Sequence, residues 1–313
     1  MGRRPKLLIV VPSGLAPLWE PWLREGPFDT LVHERDAYRR EGIDYVLSFR
    51  PPHGFLATLP NLKTVFSLGA GIDAFLADPA LPKTVPLVRF VDPQLSTEMA
   101  QYVVMHILLQ HRSQREFDTA QAEHRWAQRL LARKTSDTRI GILGLGEIGT
   151  MAAERLRDLG FAVAGWSRSA KTVAGVESFA GEEGFAPFLA RSDYLVCLLP
   201  LTDETRGILN AKTFALLPKG AYVINVARGG HLAESELIAA LDSGQLSGAT
   251  LDVFATEPLP PEDPLWAHPK VTVTPHIAAI SDPAVAARFV IEGVARAERG
   301  ERDPYTVDWG RGY

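Results

Sequence analysis

Short apolar runs alternate with polar segments of helical spacing along almost the whole chain. That alternation predicts an α/β protein with parallel sheets. In the first hundred residues the runs Leu7–Val11, Tyr45–Phe49, Thr64–Leu68 and Leu87–Arg89 read as buried strands, with Pro51-Pro52, Gly69-Ala-Gly71 and Pro82 punctuating the joins. Gln94 to Ile140 then contains neither Gly nor Pro. Thr97-Glu98 supplies an N-cap oxygen and a first-turn acid, and Met99, Val103, Ile107 and Leu108 follow at helical spacing, which predicts a long helix. From Arg139 six further strands are expected, at Arg139–Leu143, Ala162–Trp166, Tyr194–Leu199, Ala221–Val226, Ala249–Phe254 and Val271–Thr274. Helical connections such as Glu147–Leu159 and Glu234–Leu241 make these one doubly wound parallel sheet. All its strands end on one edge, and ligands of such sheets bind there.

The first strand of this second group runs into Gly144-Leu145-Gly146-Glu147-Ile148-Gly149 and then a helical segment. In that strand–turn–helix context the glycines fit a dinucleotide: one for the tight turn, one for close approach of a pyrophosphate, one for packing of helix on strand. After the second strand, where a carboxylate usually holds the ribose 2′-hydroxyl, stand Ser167, Arg168 and Ser169, with Lys171 beyond. Donors in place of an acid favour a 2′-phosphate, hence NADP(H) over NADH, with NADH as the weaker alternative. Leu199 and Pro200 close the third strand, with Thr205 as a further phosphate donor; alone they read only as a turn. The fourth gives Asn225, Val226, Ala227 and Arg228, then two glycines. The fifth gives Asp252 and Glu257, and the sixth Thr274-Pro275-His276 with Ala278 close behind. An arginine, a carboxylate and an imidazole at neighbouring strand ends supply what hydride transfer to a 2-oxo acid requires: a carboxylate clamp, a proton donor and an acid that holds the donor.

The length of 313 residues is about two domains' worth at roughly 150 residues each. Hydrophobic residues make up 46% and charged residues 22%, which excludes a disordered or collagen-like chain. Lys and Arg total 33 against 37 Asp and Glu, a net charge of −4 that gives no drive toward nucleic acid or an anionic membrane surface. The single cysteine, Cys197, sits in an apolar run and excludes an intrachain disulfide and thiolate-rich metal sites; no metal is expected. The apolar stretch behind Arg3-Arg4 is too short for a signal core, and no run is long enough to span a bilayer, so a cytoplasmic protein is expected.

The motifs Gly144–Gly149, Asn225–Gly230, Leu251–Pro258 and Thr274–Ala278 resemble the D-isomer-specific 2-hydroxyacid dehydrogenase family over essentially the whole chain. Trp166–Ser169, Gly175–Gly181, Asp252–Pro260 and the closing Arg311-Gly-Tyr313 resemble its glyoxylate/hydroxypyruvate reductase A branch. The resemblance implies two Rossmann-like doubly wound domains separated by a cleft: residues 1–100 with 284–313 for substrate, and 101–283 for the dinucleotide with a dimerisation arm that includes Trp126. It implies that Arg228 binds the substrate carboxylate, His276 protonates the carbonyl oxygen and Glu257 hydrogen-bonds that imidazole. Asp252 is expected near the nicotinamide, with Val226, Ala227 and Ala278 lining the cofactor site. Ala70 and Gly71 of the loop Ser67–Asp73 are expected to cradle the substrate, and Phe49 and Arg50 to border its pocket. The implied reaction is NADPH-dependent reduction of glyoxylate to glycolate and of hydroxypyruvate to D-glycerate in a homodimer. A larger 2-oxo acid, of phenylpyruvate or 2-ketogluconate type, and a non-catalytic corepressor-like role are the alternatives.

Overall fold

The computed structural model describes residues 3–11, 14–69, 71–129 and 133–309. They divide into two compact units, one taking in the described residues up to Pro93 and those from Ser281 onward, the other Gln94–Ile280. Each is built on a parallel sheet, so the α/β, doubly wound expectation holds for both.

The first unit contains β1 (Lys6–Val10), β2 (Asp29–Val32), β3 (Tyr45–Ser48), β4 (Thr64–Ser67) and β5 (Leu87–Val88), ordered β2-β1-β3-β4-β5. Alternating side chains of the central strands, among them Leu8, Val46 and Val65, pack into one core with Phe75 from the short helix Asp73–Leu76. Helices Ala16–Leu23 and Pro283–Glu298 pack on each other. The second is capped by Asp282, whose carboxylate accepts from Ala284 N and Val285 N, and Pro283 follows at the first helical position, where its missing N–H costs nothing. Strand β2 was not expected. Its sequence Asp-Thr-Leu-Val buries only Val32 well, because it is an edge strand paired on one side alone.

The second unit carries β6 (Arg139–Leu143), β7 (Ala162–Ser167), β8 (Glu177–Ala180), β9 (Tyr194–Cys197), β10 (Ala221–Asn225), β11 (Leu246–Leu251) and β12 (Val271–Val273). Their order, β12-β11-β10-β9-β6-β7-β8, reverses direction at β6. The crevice beside β6 is therefore the sheet's switch point, where α/β sheets bind ligands. The six expected strands are all present, with ends shifted by a few residues. The seventh, β8, is again a half-exposed edge strand with no apolar run to betray it. Fully buried Ile142, Val196 and Ile224 lie in the sheet core, each such side chain contributing about 1.5–3 kcal/mol on burial.

The expected long helix is divided. It begins at Pro93 rather than Thr97, ends at His111, and resumes as Gln114–Ala122 after Ser113 turns into the left-handed region at φ 57°. The break owes nothing to Gly or Pro, which is why composition gave no warning of it. Cys197 is fully buried at the end of β9, and burial pushes its thiol up to about 12, so it stays protonated. Among the described residues no helix is long and apolar enough to cross a membrane.

Candidate active site

The C-terminal ends of β6, β7 and β9–β12 deliver every site residue expected of the second unit. At β6, Gly144 adopts φ +100°, open to glycine at low cost, and a Cβ at Gly149 would lie 1.8 Å from the Gly144 carbonyl oxygen. Both positions thus require glycine for the helix Glu147–Asp158 to start where it does. A Cβ at Gly146, by contrast, would meet nothing within 4 Å, and Gly146 and Glu147 are exposed, so the turn has open space above it. Gly146 is also the helix N-cap and offers no side-chain acceptor to the first-turn N–H groups. Unpartnered donors at the positive end of a twelve-residue helix, under open space, fit a pyrophosphate. Leu145 is buried beneath the turn and Ile148 half-buried.

At β7, Ser167 is buried and its hydroxyl donates to the Ser169 carbonyl at 2.8 Å, folding the turn that presents Arg168. The Arg168 guanidinium stands in solvent, 3.7 Å from the carboxylate of Glu204, which comes from the loop after β9. Leu199 and Pro200 lie where expected. Thr205 does not present its proton outward: its hydroxyl donates to the Pro200 carbonyl at 2.7 Å and accepts from Thr202 N at 2.9 Å. Its hydroxyl closes the turn, in keeping with the reading of these residues as a turn.

Strands β10, β11 and β12 are neighbours in register, Asn225 opposite Leu251 and Leu251 opposite Val273. Arg228, Asp252 and His276 therefore leave the sheet side by side. Fully buried Asn225 shapes the first loop, accepting from Ala227 N at 3.2 Å and donating to the Arg228 carbonyl at 3.0 Å. Val226 and Ala227 are buried behind it, and one Arg228 nitrogen donates to the Ala227 carbonyl at 2.7 Å. A Cβ on Gly229 would fall 1.9 Å from the Phe254 carbonyl carbon. Only glycine lets this loop sit directly on the loop that carries Glu257.

Glu257 turns one oxygen to Phe254 N at 3.1 Å and the other to Nδ1 of His276 at 2.9 Å. Both side chains are partly buried, 17% and 30% exposed, so the pair is shielded more than a surface ion pair. His276 itself has φ 55°, a left-handed conformation uncommon for a non-glycine residue. The surroundings are specific. His276 N donates to the Asp252 carbonyl at 2.9 Å, Ile277 N to Asp252 Oδ1 at 2.9 Å and Ala278 N to Asp252 Oδ2 at 2.9 Å. Asp252, 1% exposed, holds the whole loop by its carboxylate and carbonyl.

In the first unit, Phe49 and Arg50 follow β3 and Gly69 and Gly71 follow β4, the adjacent strand. The Arg50 guanidinium lies 5.2 Å from the Phe49 ring centroid, and a Cβ on Gly69 would come within 3.3 Å of that ring. Ser67 Oγ donates to the Gly69 carbonyl at 2.9 Å, and Ser281 Oγ to the Leu68 carbonyl at 2.9 Å. Ala70 and the closing Arg311-Gly-Tyr313 lie outside the described residues.

Two features escaped the sequence reading. Fully buried His231 sets Nδ1 3.1 Å from the Arg228 carbonyl and Nε2 3.2 Å from the Pro200 carbonyl, joining the loops after β10 and β9. The second is the loop-holding role of Asp252. Its position at a strand end was the only signal, and that signal suited a cofactor contact equally well.

Residues 104–278 match the family model described as the NAD binding domain of D-isomer specific 2-hydroxyacid dehydrogenases. A glyoxylate/hydroxypyruvate reductase A of Yersinia enterocolitica is 45% identical over 275 residues, covering 86% of this chain and 88% of that protein. Its namesake from Serratia proteamaculans is 46% identical over 275 residues, with the same coverage. Among solved structures, a D-isomer specific 2-hydroxyacid dehydrogenase from Xanthobacter autotrophicus in complex with NADPH and MES aligns with TM-score 0.90 and 43% identity, over 99% of this chain and 100% of that one. An NADPH-dependent glyoxylate/hydroxypyruvate reductase from Sinorhizobium meliloti, in complex with NADP and sulfate, aligns with TM-score 0.90 and 39% identity over the same shares. The chain belongs to the D-isomer specific 2-hydroxyacid dehydrogenase family.

Proposed function

We propose that this chain reduces small 2-oxo acids with NADPH, taking glyoxylate to glycolate and hydroxypyruvate to D-glycerate. The observation that carries the reading is the 2.9 Å His276–Glu257 contact, held on the strand edge that also bears the glycine-rich turn. It is joined by the names of relatives at 45% and 46% identity and by an NADPH-dependent reductase of the same fold.

NADPH held at the Gly144–Gly149 turn would supply the hydride. The helix N-terminus would take the pyrophosphate, and Ser167, Arg168 and Ser169 the 2′-phosphate, with Val226, Ala227 and Ala278 lining the cofactor site. Arg228 pairs its planar guanidinium with the substrate carboxylate. Because Glu257 engages Nδ1 of His276, the ring's Nε2 is the atom that delivers a proton to the carbonyl oxygen as negative charge develops there. Asp252 keeps the backbone of His276 in its left-handed turn, so that the ring needs no reorganisation at the moment of transfer.

The enzyme acts in the cytoplasm as a homodimer. Its single, deeply buried thiol suits a reducing compartment. The helix Pro93–His111 bears a groove lined by Val104, Met105, Leu108 and Leu109, and Trp126 beyond it is 90% exposed, which suits a second copy.

The test is loss of reduced-cofactor absorbance with NADPH and NADH, each crossed with glyoxylate, hydroxypyruvate and phenylpyruvate. Turnover of either small acid with NADPH is expected. Turnover of phenylpyruvate alone would move the specificity to a larger substrate, and cofactor binding without turnover of any acid would leave only a binding role. Sedimentation velocity checks the dimer, and a monomer at micromolar concentration would overturn it.

A further inference from the structure

Behind the His276 loop lies a largely buried polar chain of which the proposed chemistry uses only the Asp252 end. Thr274 Oγ1 donates to Asp252 Oδ1 at 2.6 Å, and the Tyr102 hydroxyl lies 2.5 Å from Thr274 Oγ1. The direction of the second bond follows from proton counting. A threonine hydroxyl has one proton, a carboxylate has none to give, and the Thr274 proton is already spent on Asp252. The Tyr102 hydroxyl must therefore donate. Burial holds its phenol protonated, pushing it well above the ordinary tyrosine range, so the donor is present at every pH the enzyme meets.

Oδ1 of Asp252 thus accepts from Thr274 and Ile277 N, and Oδ2 from Ala278 N. Only one rotation of the carboxylate serves all three. The Tyr102 ring comes from the helix Pro93–His111, packed 4.2 Å centroid to centroid against His106, whose Nδ1 lies 3.5 Å from Thr250 Oγ1 one residue before Leu251 at the end of β11. Tyr102 reaches the loop from an element far from it in sequence and anchored in the core by Val103 and Ile107.

We propose that Tyr102 is a positioning residue for His276. Its hydroxyl heads a one-way chain of donors, Tyr102 to Thr274 to Asp252, that fixes the carboxylate from which the backbone of residues 276–278 hangs. The inference rests on the reading of His276 as proton donor for its kinetic consequence, but the tether itself is testable without turnover.

The experiment compares Tyr102→Phe, Thr274→Val, Thr274→Ser and the double variant Tyr102→Phe/Thr274→Val, reading amide hydrogen exchange at Ile277 and Ala278 together with kcat for glyoxylate. Loss of one net hydrogen bond predicts exchange about fivefold faster in Tyr102→Phe, with a comparable fall in kcat. Thr274→Ser, which keeps the hydroxyl, restores wild-type values, whereas Thr274→Val does not. Adding Tyr102→Phe to Thr274→Val changes nothing further, because the chain is already cut. Unchanged exchange in Tyr102→Phe, or losses in the two single variants that simply add, would overturn the proposal. If Thr274→Val fails to fold, Tyr102→Phe and Thr274→Ser still decide it. A wild-type protein without turnover of any 2-oxo acid would count against the reductase reading alone, since the exchange measurement stands apart from it.

Discussion

At one end of the second sheet's C-terminal edge, Arg168 stands with its side chain 72% exposed and a single carboxylate 3.7 Å away. At the other end, Asp252 is 1% exposed and ties three consecutive backbone N–H groups of the His276 loop. The first corner is a solvated charge with one exposed ion-pair partner, Glu204. The second is assembled by the protein's own bonds before any ligand arrives. The difference suits the roles proposed for the two corners: a phosphate carries its own charge and needs only donors in reach, whereas a proton donor must be aimed within a fraction of an ångström. Substitutions at the second corner should therefore cost rate and stability, and those at the first should cost cofactor preference alone.

The largest effect is expected at the assembled corner. His276→Ala removes the proposed proton donor and should lower kcat by about 10²–10⁴-fold, the usual yield of positioned acid–base catalysis, with NADPH binding retained in a fluorescence titration. Wild-type kinetics in this variant would end the comparison, because the carefully held loop would then hold nothing catalytic.

Asp252→Asn comes next and acts on both stability and rate. An amide offers one oxygen where the carboxylate offers two, and its NH₂ group would face a backbone N–H in a site without water access. An unsatisfied buried donor costs about 1–3 kcal/mol, and for a protein of this size each kcal/mol lowers Tm by about 2–4 °C. A scan by circular dichroism showing the wild-type Tm would mean that the loop is held by something other than the Asp252 carboxylate.

These two corners were unequally legible. The glycine-rich turn, Arg168, Arg228, Glu257 and His276 were all marked in the sequence, because each sits within six residues of a strand whose apolar run is unmistakable. What the linear pattern could not carry was bonding across distance. Tyr102 and Thr274 are 172 residues apart, and nothing in a helical periodicity distinguishes a tyrosine that packs from one that also donates. His231 escaped for the same reason, since its two partners belong to different strand-end loops. Edge strands β2 and β8 failed by a different route: they bury too little to leave an apolar signature. For Thr205, a hydroxyl near a phosphate site and a hydroxyl closing a turn look alike in one dimension, and only the folded loop shows the second.

At the solvated corner, Arg168→Asp should raise the NADPH KM by about 10- to 100-fold, as expected for losing charge-assisted bonds and adding a repelling carboxylate. NADH should be affected little or improved, and kcat should stay within a few-fold. A matched loss with both cofactors would show that Arg168 supports the turn generally rather than reading the 2′-phosphate.

The smallest effect separates two roles for Glu204. Its carboxylate is the partner of Arg168, so a 2′-phosphate must either displace it or share the guanidinium with it. Glu204→Gln keeps the shape and removes the charge. Exposed ion pairs are worth about 0–1 kcal/mol, so release of the competitor should lower the NADPH KM by no more than about fivefold and leave NADH unchanged. The gain should shrink as ionic strength rises, since both groups are in water and screened within about 10 Å at 0.1 M salt. A rise in the NADPH KM would reverse the assignment: Glu204 would then orient the guanidinium for the phosphate, and the exposed corner would prove partly preassembled, as the buried one is.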